Sequence, residues 1–317
     1  MQIIMTNDAS RVTDLVSQGF CPVECSIGGR SIVDHLQMDH HGTLSHLESV
    51  AVRAYRDHFG ARKADPRFVS VGVPDADCTF AIASLAGVLP HPSREAEYKA
   101  AKLPPFLVKA RTVDLTGLAG TIGILDTEPI GRNKLELDGG VTVMAWHMLM
   151  AGGENDDLDA YAGVQAWRQL CANHPERQPL LDGARESERL RHETAVQERA
   201  RLTGLTVGAV DESTVFGFEE WYERCLGAGA FESPSGWAHP CVLARTADNG
   251  NITIGCPNKD VAEALFGAGG LRNVFPKLDA VAPGWGGREA VGGSPRGLRM
   301  TSEQLAEVAC IVESCLV

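Results

Sequence analysis

The chain has 317 residues, 29 of them basic and 41 acidic, for a net charge of −12. That balance argues against a long nucleic-acid groove, where many Lys and Arg must face phosphates for counterion release to drive binding. Apolar residues make up 44%, enough for a large core in a chain about twice the usual domain length of roughly 150 residues.

The opening MQIIMTNDAS has no basic stretch followed by an apolar one, so secretion is not expected. The longest apolar runs, AIASLAGVL and VTVMAWHMLM, fall short of the ~18 residues needed to cross a bilayer, so no membrane span is expected either. Nine cysteines, an odd number without a CxxC pair, fit a reduced cytoplasm better than a disulfide framework.

Residues 1–135 alternate β-rich runs (SIVDH, RFVSVGV, GTIGILD) with helical stretches such as SHLESVAVRAYRDHFG, the pattern of a parallel α/β sheet with ligands at its strand ends. From 141 to 203 the chain reads as helical, and its charge-rich end ARESERLRHETAVQERARL reads as a solvated connecting helix. After Gly204 strand-like texture returns, with glycine-rich segments at 266–270 and 283–297 and a helix from Ser302. The expected fold is α/β: a parallel-sheet N-terminal domain over 1–190, a connecting helix over 191–203, and a smaller α/β C-terminal domain over 204–317, with a cleft between the domains.

Five of the ten histidines, His35, His40, His41, His46 and His58, crowd together with Asp34, Asp39, Glu48 and Asp57. Carboxylates and imidazoles without thiolates suit Mn²⁺, Mg²⁺ or Fe²⁺ better than structural zinc. Within this group Asp39 and His40 are the expected ligands, while His46 and His58 read as solvated. A second cluster lies in RFVSVGVPDADCTF. On an extended backbone Asp75 and Asp77 point the same way and can share a cation, and the alternative is a helix cap at Asp77 or Thr79. The small residues Ala81, Ala83, Ser84 and Ala86 suit a helix packed closely on a sheet. Asp126 and Thr127 end the apolar run GTIGILD, Cys78 reads as core, and Asp8 as a turn residue.

In PGWGGREAVGGSPRG the glycines permit either turns or an anion nest of backbone amides. Gly287, Gly292, Gly293 and Ser294 are the candidate anion contacts, with Arg288 or Arg296 as the guanidinium partner. Arg299 reads as a surface charge and Trp285 as a packing anchor.

Taken together, DHH at 39–41, DAD at 75–77, GILDT at 123–127 and the C-terminal glycine loop with its final helix resemble the DHH phosphoesterase superfamily and its DHH-associated C-terminal domain. The motif order differs from the family's, since DHH precedes DAD. Val73 stands where the family carries a His, and Arg288 follows Gly286-Gly287 where the family's glycine loop carries one. The resemblance implies a dinuclear metal site, commonly manganese. Asp39, His40, Asp75 and Asp77 would be ligands, Asp126 would complete the second metal, and Asp34 would bridge.

Carboxylate-held cations ~3.5–4 Å apart would bind a phosphoryl oxygen and activate water, with His41 as a phosphate contact or acid. The expected function is a metal-dependent phosphohydrolase or phosphodiesterase acting on a small phosphorylated substrate such as a nucleotide derivative, with homodimerisation as the base-rate oligomeric state. The alternatives are a catalytically degenerate nucleotide- or metabolite-binding regulator, and a mononuclear iron enzyme using His35, His40 and a carboxylate.

Overall fold

The computed structural model describes residues 1–27, 30–32, 38–41, 44, 47–57, 66–91, 114–127, 134–151, 159–172, 174–199, 207–211, 241–245, 250–256, 258–295 and 297–317, as backbone alone at 30, 191–199, 207–211 and 241–245. The expectations that rest on Asp34, His35, His46, His58 and Arg296 lie outside the described residues. The architecture is mixed α/β, with one parallel sheet.

The parallel sheet has three strands, β1 (Gln2–Met5), β2 (Cys21–Pro22) and β5 (Arg67–Ser70), with β5 in the middle. β5 carries the apolar run expected of a central strand, with Phe68, Val69 and Ser70 all buried. Helix α1 (Ala9–Ser17) follows β1 and is N-capped by Asp8, whose carboxylate accepts from the Ser10 and Arg11 amides. Val12 and Leu15 of α1 close a small core with Phe20, Cys25, Val69 and Val71. A two-stranded antiparallel pair, β3 (Ser26–Ile27) and β4 (Arg30–Ser31), leads on from β2.

The main core holds helices α2 (Val50–Asp57), α3 (Ala76–Leu85), α4 (Leu115–Thr127), α5 (Gly140–Ala151) and α6 (Ala160–Cys171). Every residue of α3 from Ala76 to Ser84 is buried, so its small side chains let α2, α4 and α6 close around it. Trp146 stacks on Trp167 at 5.4 Å, and Phe80 meets Trp167 edge-on at 5.3 Å. Both indole nitrogens are satisfied, Trp167 by Thr79 Oγ1 and Trp146 by the Gly163 carbonyl. Full burial of a side chain like Phe80 contributes roughly 2–3 kcal/mol.

One element corrects the expectation. GTIGILD is not a strand but the second half of α4, because Leu115, Leu118, Ala119, Ile122 and Leu125 recur with helical period and all face the core. Asp126 therefore sits in the last turn of a helix rather than at a strand end. Helix α7 (Arg177–Arg199) runs through position 190 without a break.

The second sheet has five strands in the order β6 (Val207–Asp211), β7 (Cys241–Arg245), β8 (Ile252–Gly255), β10 (Val291–Gly293), β9 (Gly286–Gly287). Its pairings are antiparallel apart from β6 with β7. Helices α8 (Lys259–Phe266), α9 (Phe275–Leu278) and α10 (Ser302–Glu313) share a core with β8, and Trp285 lies in that core at 7% exposure. α10 begins with a Thr301–Gln304 capping box. Among the described residues no helix is long and apolar enough to cross a membrane.

Two glycine substitutions separate space from propensity. A Cβ on Gly292 would stand 2.3 Å from Phe275 Cζ and 2.6 Å from the Gly286 carbonyl oxygen, whereas one on Gly120, inside α4, meets nothing within 4 Å. Gly292→Ala is expected to lower unfolding free energy by about 1–3 kcal/mol through overpacking. Gly120→Ala is expected to raise it by about 0.5–1 kcal/mol, and denaturant titration of both variants checks the opposite signs.

Candidate metal and anion site

The chain returns several times to one spot at the carboxyl ends of the parallel strands, the usual ligand position in such sheets. Just after β2, Glu24 is the one non-glycine residue with positive φ among the described residues, at 51°. Its amide donates to the Met38 carbonyl at 2.7 Å, which clamps this sparsely populated conformation. The result is a carboxylate only 2% exposed, with Oε1 2.9 Å from His40 Nε2.

Two further carboxylates converge on the same nitrogen. Asp77 Oδ2 lies 3.4 Å and Asp126 Oδ2 3.5 Å from His40 Nε2. The ring is 3% exposed, and burial, then the neighbouring His41 and Arg288, holds its basicity well below the usual histidine value, so it is neutral at pH 7. Arg288, arriving from the turn between β9 and β10, donates from Nη2 to His40 Nδ1 and, at 2.8 Å, to the Leu47 carbonyl.

Asp77 has two duties. Its Oδ2 and Oδ1 accept from the Val50 and Ala51 amides at 3.1 and 2.8 Å, so the carboxylate caps the start of α2 as well as facing His40. Burial, and then the Asp75 charge, pushes its pKa up to about 7. Like charges ~4 Å apart repel by about 4 kcal/mol at an effective dielectric of 20, a repulsion that a proton on Asp77, the Arg288 guanidinium or a bound cation would each relieve.

Asp75 does not share that site. It is the N-cap of α3, accepting from the Cys78 amide at 2.9 Å. The pairing expected from an extended backbone fails because the helix begins at Ala76, and two helical steps of 100° each turn Asp77 away toward α2. The capping role considered for Asp77 or Thr79 belongs to Asp75 within α3, while Asp77 caps a different helix.

Asp39 likewise supports the site from beside it. Oδ2 accepts from Ser26 Oγ at 2.6 Å, and Oδ1 accepts from both the amide and Nδ1 of His41 at 3.0 Å. These bonds, led by the one from the His41 ring, outweigh burial and bring its carboxyl down to about 2. With Nδ1 committed to Asp39, any chemistry at the His41 ring falls to Nε2. His41 is 29% exposed in its side chain.

A cavity of about 260 Å³ opens over this cluster. His40, His41, Asp126 and Ser26 line one side, and Arg288 with the β9 and β10 glycines lines the other. The glycines are not a nest, because Gly292 and Gly293 lie in a strand paired on both sides, which spends its amides on its neighbours. Ser294 is tied to Ile252 through both its amide and its hydroxyl. Gly287 pairs with Gly292 and gives the cavity a wall without side chains.

Two residues that shape the site carry no motif. Glu24 sits in CPVECS, where a lone acid among apolar neighbours directly after a strand is the only signal. Arg53 is 8% exposed, and its guanidinium holds the Asp39 carbonyl at 2.7 Å and the Glu48 carbonyl at 2.9 Å, fixing the backbone that carries His40. Its place on the buried face of α2, beside Val50 and Ala54, is the signal for it. Cys78 is buried 3.3 Å from Ser70 Oγ, and burial raises its thiol well above the usual range, which suits core packing rather than nucleophilic attack.

Among the described residues, two groups of donor atoms could hold an ion: His40 with Asp77 and Asp126, and Glu24 with His40 and His41. No family model matches the chain, and no curated protein matches it. The DHH resemblance therefore stands on its motifs alone.

Asp77→Ala is expected to lower unfolding free energy by about 1–2 kcal/mol even without added metal, because it uncaps α2. Denaturant titration in chelator checks this. The depressed Asp39 carboxyl stabilises the fold above its ordinary value of 3.8, and that contribution disappears as pH falls through about 2. The stability gap between wild type and Asp39→Asn is accordingly expected to narrow by about 2 kcal/mol between pH 5 and pH 2.

Proposed function

We propose that the chain is a metal-dependent phosphohydrolase or phosphodiesterase acting on a small phosphorylated substrate such as a nucleotide derivative. The observation that carries this reading is the convergence of Glu24, Asp77 and Asp126 within 3.5 Å of His40 Nε2, beside a cavity lined by Arg288. Hard oxygen donors with a single imidazole fit Mn²⁺ best, with Mg²⁺ or Fe²⁺ as alternatives. One imidazole nitrogen binds one ion, so the described residues supply a donor set for one cation. A second would use Glu24 and His41 with ligands from outside that set.

Bound there, the cation supplies charge stabilisation for phosphoryl oxygens and a lowered pKa for attacking water. The chain's own residues do the rest. Arg288 offers guanidinium donors to a phosphate in the cavity. Asp39 accepts from His41 Nδ1 and so fixes the ring with Nε2 as the atom that can face the substrate's leaving oxygen. Arg53 and Asp77 keep His40 and α2 in register. A cavity of about 260 Å³ with the Arg288 guanidinium on its wall suits a small phosphate ester. A reduced, cytoplasmic setting belongs to the same proposal, resting on nine cysteines without a CxxC pair, as does a homodimer.

The non-catalytic binding reading has one observation in its favour, since the Arg288 guanidinium already supplies positive charge to this cluster. Elemental analysis after Mn²⁺ loading, paired with hydrolysis of bis(p-nitrophenyl) phosphate, separates the two readings. Wild type is expected to retain Mn²⁺ and turn over, and Asp126→Ala and Glu24→Gln to lose at least 10-fold in metal retention and 10²-fold in rate. Asp75→Ala, which removes a helix cap and a charge beside Asp77 but no donor of the cluster, is expected to keep its metal. Metal retention without turnover in wild type would favour the binding reading, and no retained metal would refute the proposal.

A further inference from the structure

We propose that Arg288 and a divalent cation are alternative partners of the His40 cluster, so that metal loading expels the guanidinium from His40 and turns it toward the substrate anion. This rests on the metal reading above. The His40 ring is held from both ends. On one side Arg288 Nη2 donates to Nδ1 and also to the Leu47 carbonyl at 2.8 Å. On the other, Nε2 lies 2.9 Å from Glu24 Oε1. A neutral imidazole carries one proton, and a guanidinium is only ever a donor. With Arg288 on Nδ1, that nitrogen is the acceptor, and the proton belongs to Nε2, where Glu24 receives it.

Coordination at Nε2 requires the opposite tautomer. The metal takes the Nε2 lone pair, the proton moves to Nδ1, and an N–H there would face the Arg288 N–H donor. Both contacts cannot be kept. The charges push the same way, because the carboxylates that most strongly favour the Arg288 charge are Asp126 and Asp77, the same groups that would ligate the ion. The displaced guanidinium has somewhere to go, since Arg288 already lines the cavity from the β9–β10 turn. Arg288 thus holds the cluster together without metal and becomes an anion contact once metal enters, which orders the two binding events.

The test is calorimetric titration of Mn²⁺ into chelator-stripped wild type and Arg288→Met in phosphate-free buffer, with folding checked by thermal denaturation. Removing the competitor is expected to tighten Mn²⁺ binding about 10-fold, within the usual range for coupled sites. Equal or weaker binding by Arg288→Met would overturn the competition while leaving the metal reading intact, whereas no binding by either protein would remove both. A measurement on wild type alone covers the case in which the variant does not fold. ¹⁵N NMR of the His40 ring is expected to show the Nε2–H tautomer in chelator and the Nδ1–H tautomer with saturating Zn²⁺. An Nδ1–H tautomer already present in chelator would overturn the proposal.

Discussion

Three carboxylates brought within 3.5 Å of one neutral imidazole nitrogen are the constraint around which the rest of this structure is arranged. Such a cluster is unfavourable by itself, since like charges repel and Glu24, Asp77 and His40 are removed from water. It persists because the surrounding fold fixes its members from different directions. Glu24 is clamped in a left-handed conformation after β2, Asp77 is bonded to the first amides of α2, and Asp126 is carried in by the last turn of α4.

The supporting residues matter as much as the donors. Arg53 ties the carbonyls of Asp39 and Glu48 to α2, so the backbone of the histidine pair and the helix capped by Asp77 move as one unit. Asp39 in turn sets the His41 ring, and Ser26 fixes Asp39. Loss of any of these would cost little packing but would loosen a site whose chemistry depends on sub-ångström placement. The second sheet contributes a different element, a wall of glycine strand with a single guanidinium projecting from its turn.

Much of the scaffold was legible in the sequence. The apolar run at β5, the amphipathic α2, the apolar α5 and the capped α10 all carry local signals that tertiary packing did not override. α4 was misread because its β-branched and glycine residues suggest a strand, although its apolar positions already kept helical spacing. The site was half legible. His40, Asp77, Asp126 and Arg288 stand out by residue type, and the structure brings them together. The pairing of Asp75 with Asp77 failed on a helix that starts at Ala76, two residues earlier than an extended reading assumes. Glu24 and Arg53 were missed because their roles arise from contacts across the fold, to which local spacing is blind.

The most direct measurement is anomalous diffraction from crystals of the protein loaded with Mn²⁺. The expected result is a peak at coordination distance from His40 Nε2, bordered by oxygens of Asp77 and Asp126 or of Glu24, with the Arg288 guanidinium withdrawn from His40 Nδ1. Loaded crystals that show no peak at His40, or show manganese only elsewhere, would contradict the central claim that this carboxylate cluster exists to hold a cation.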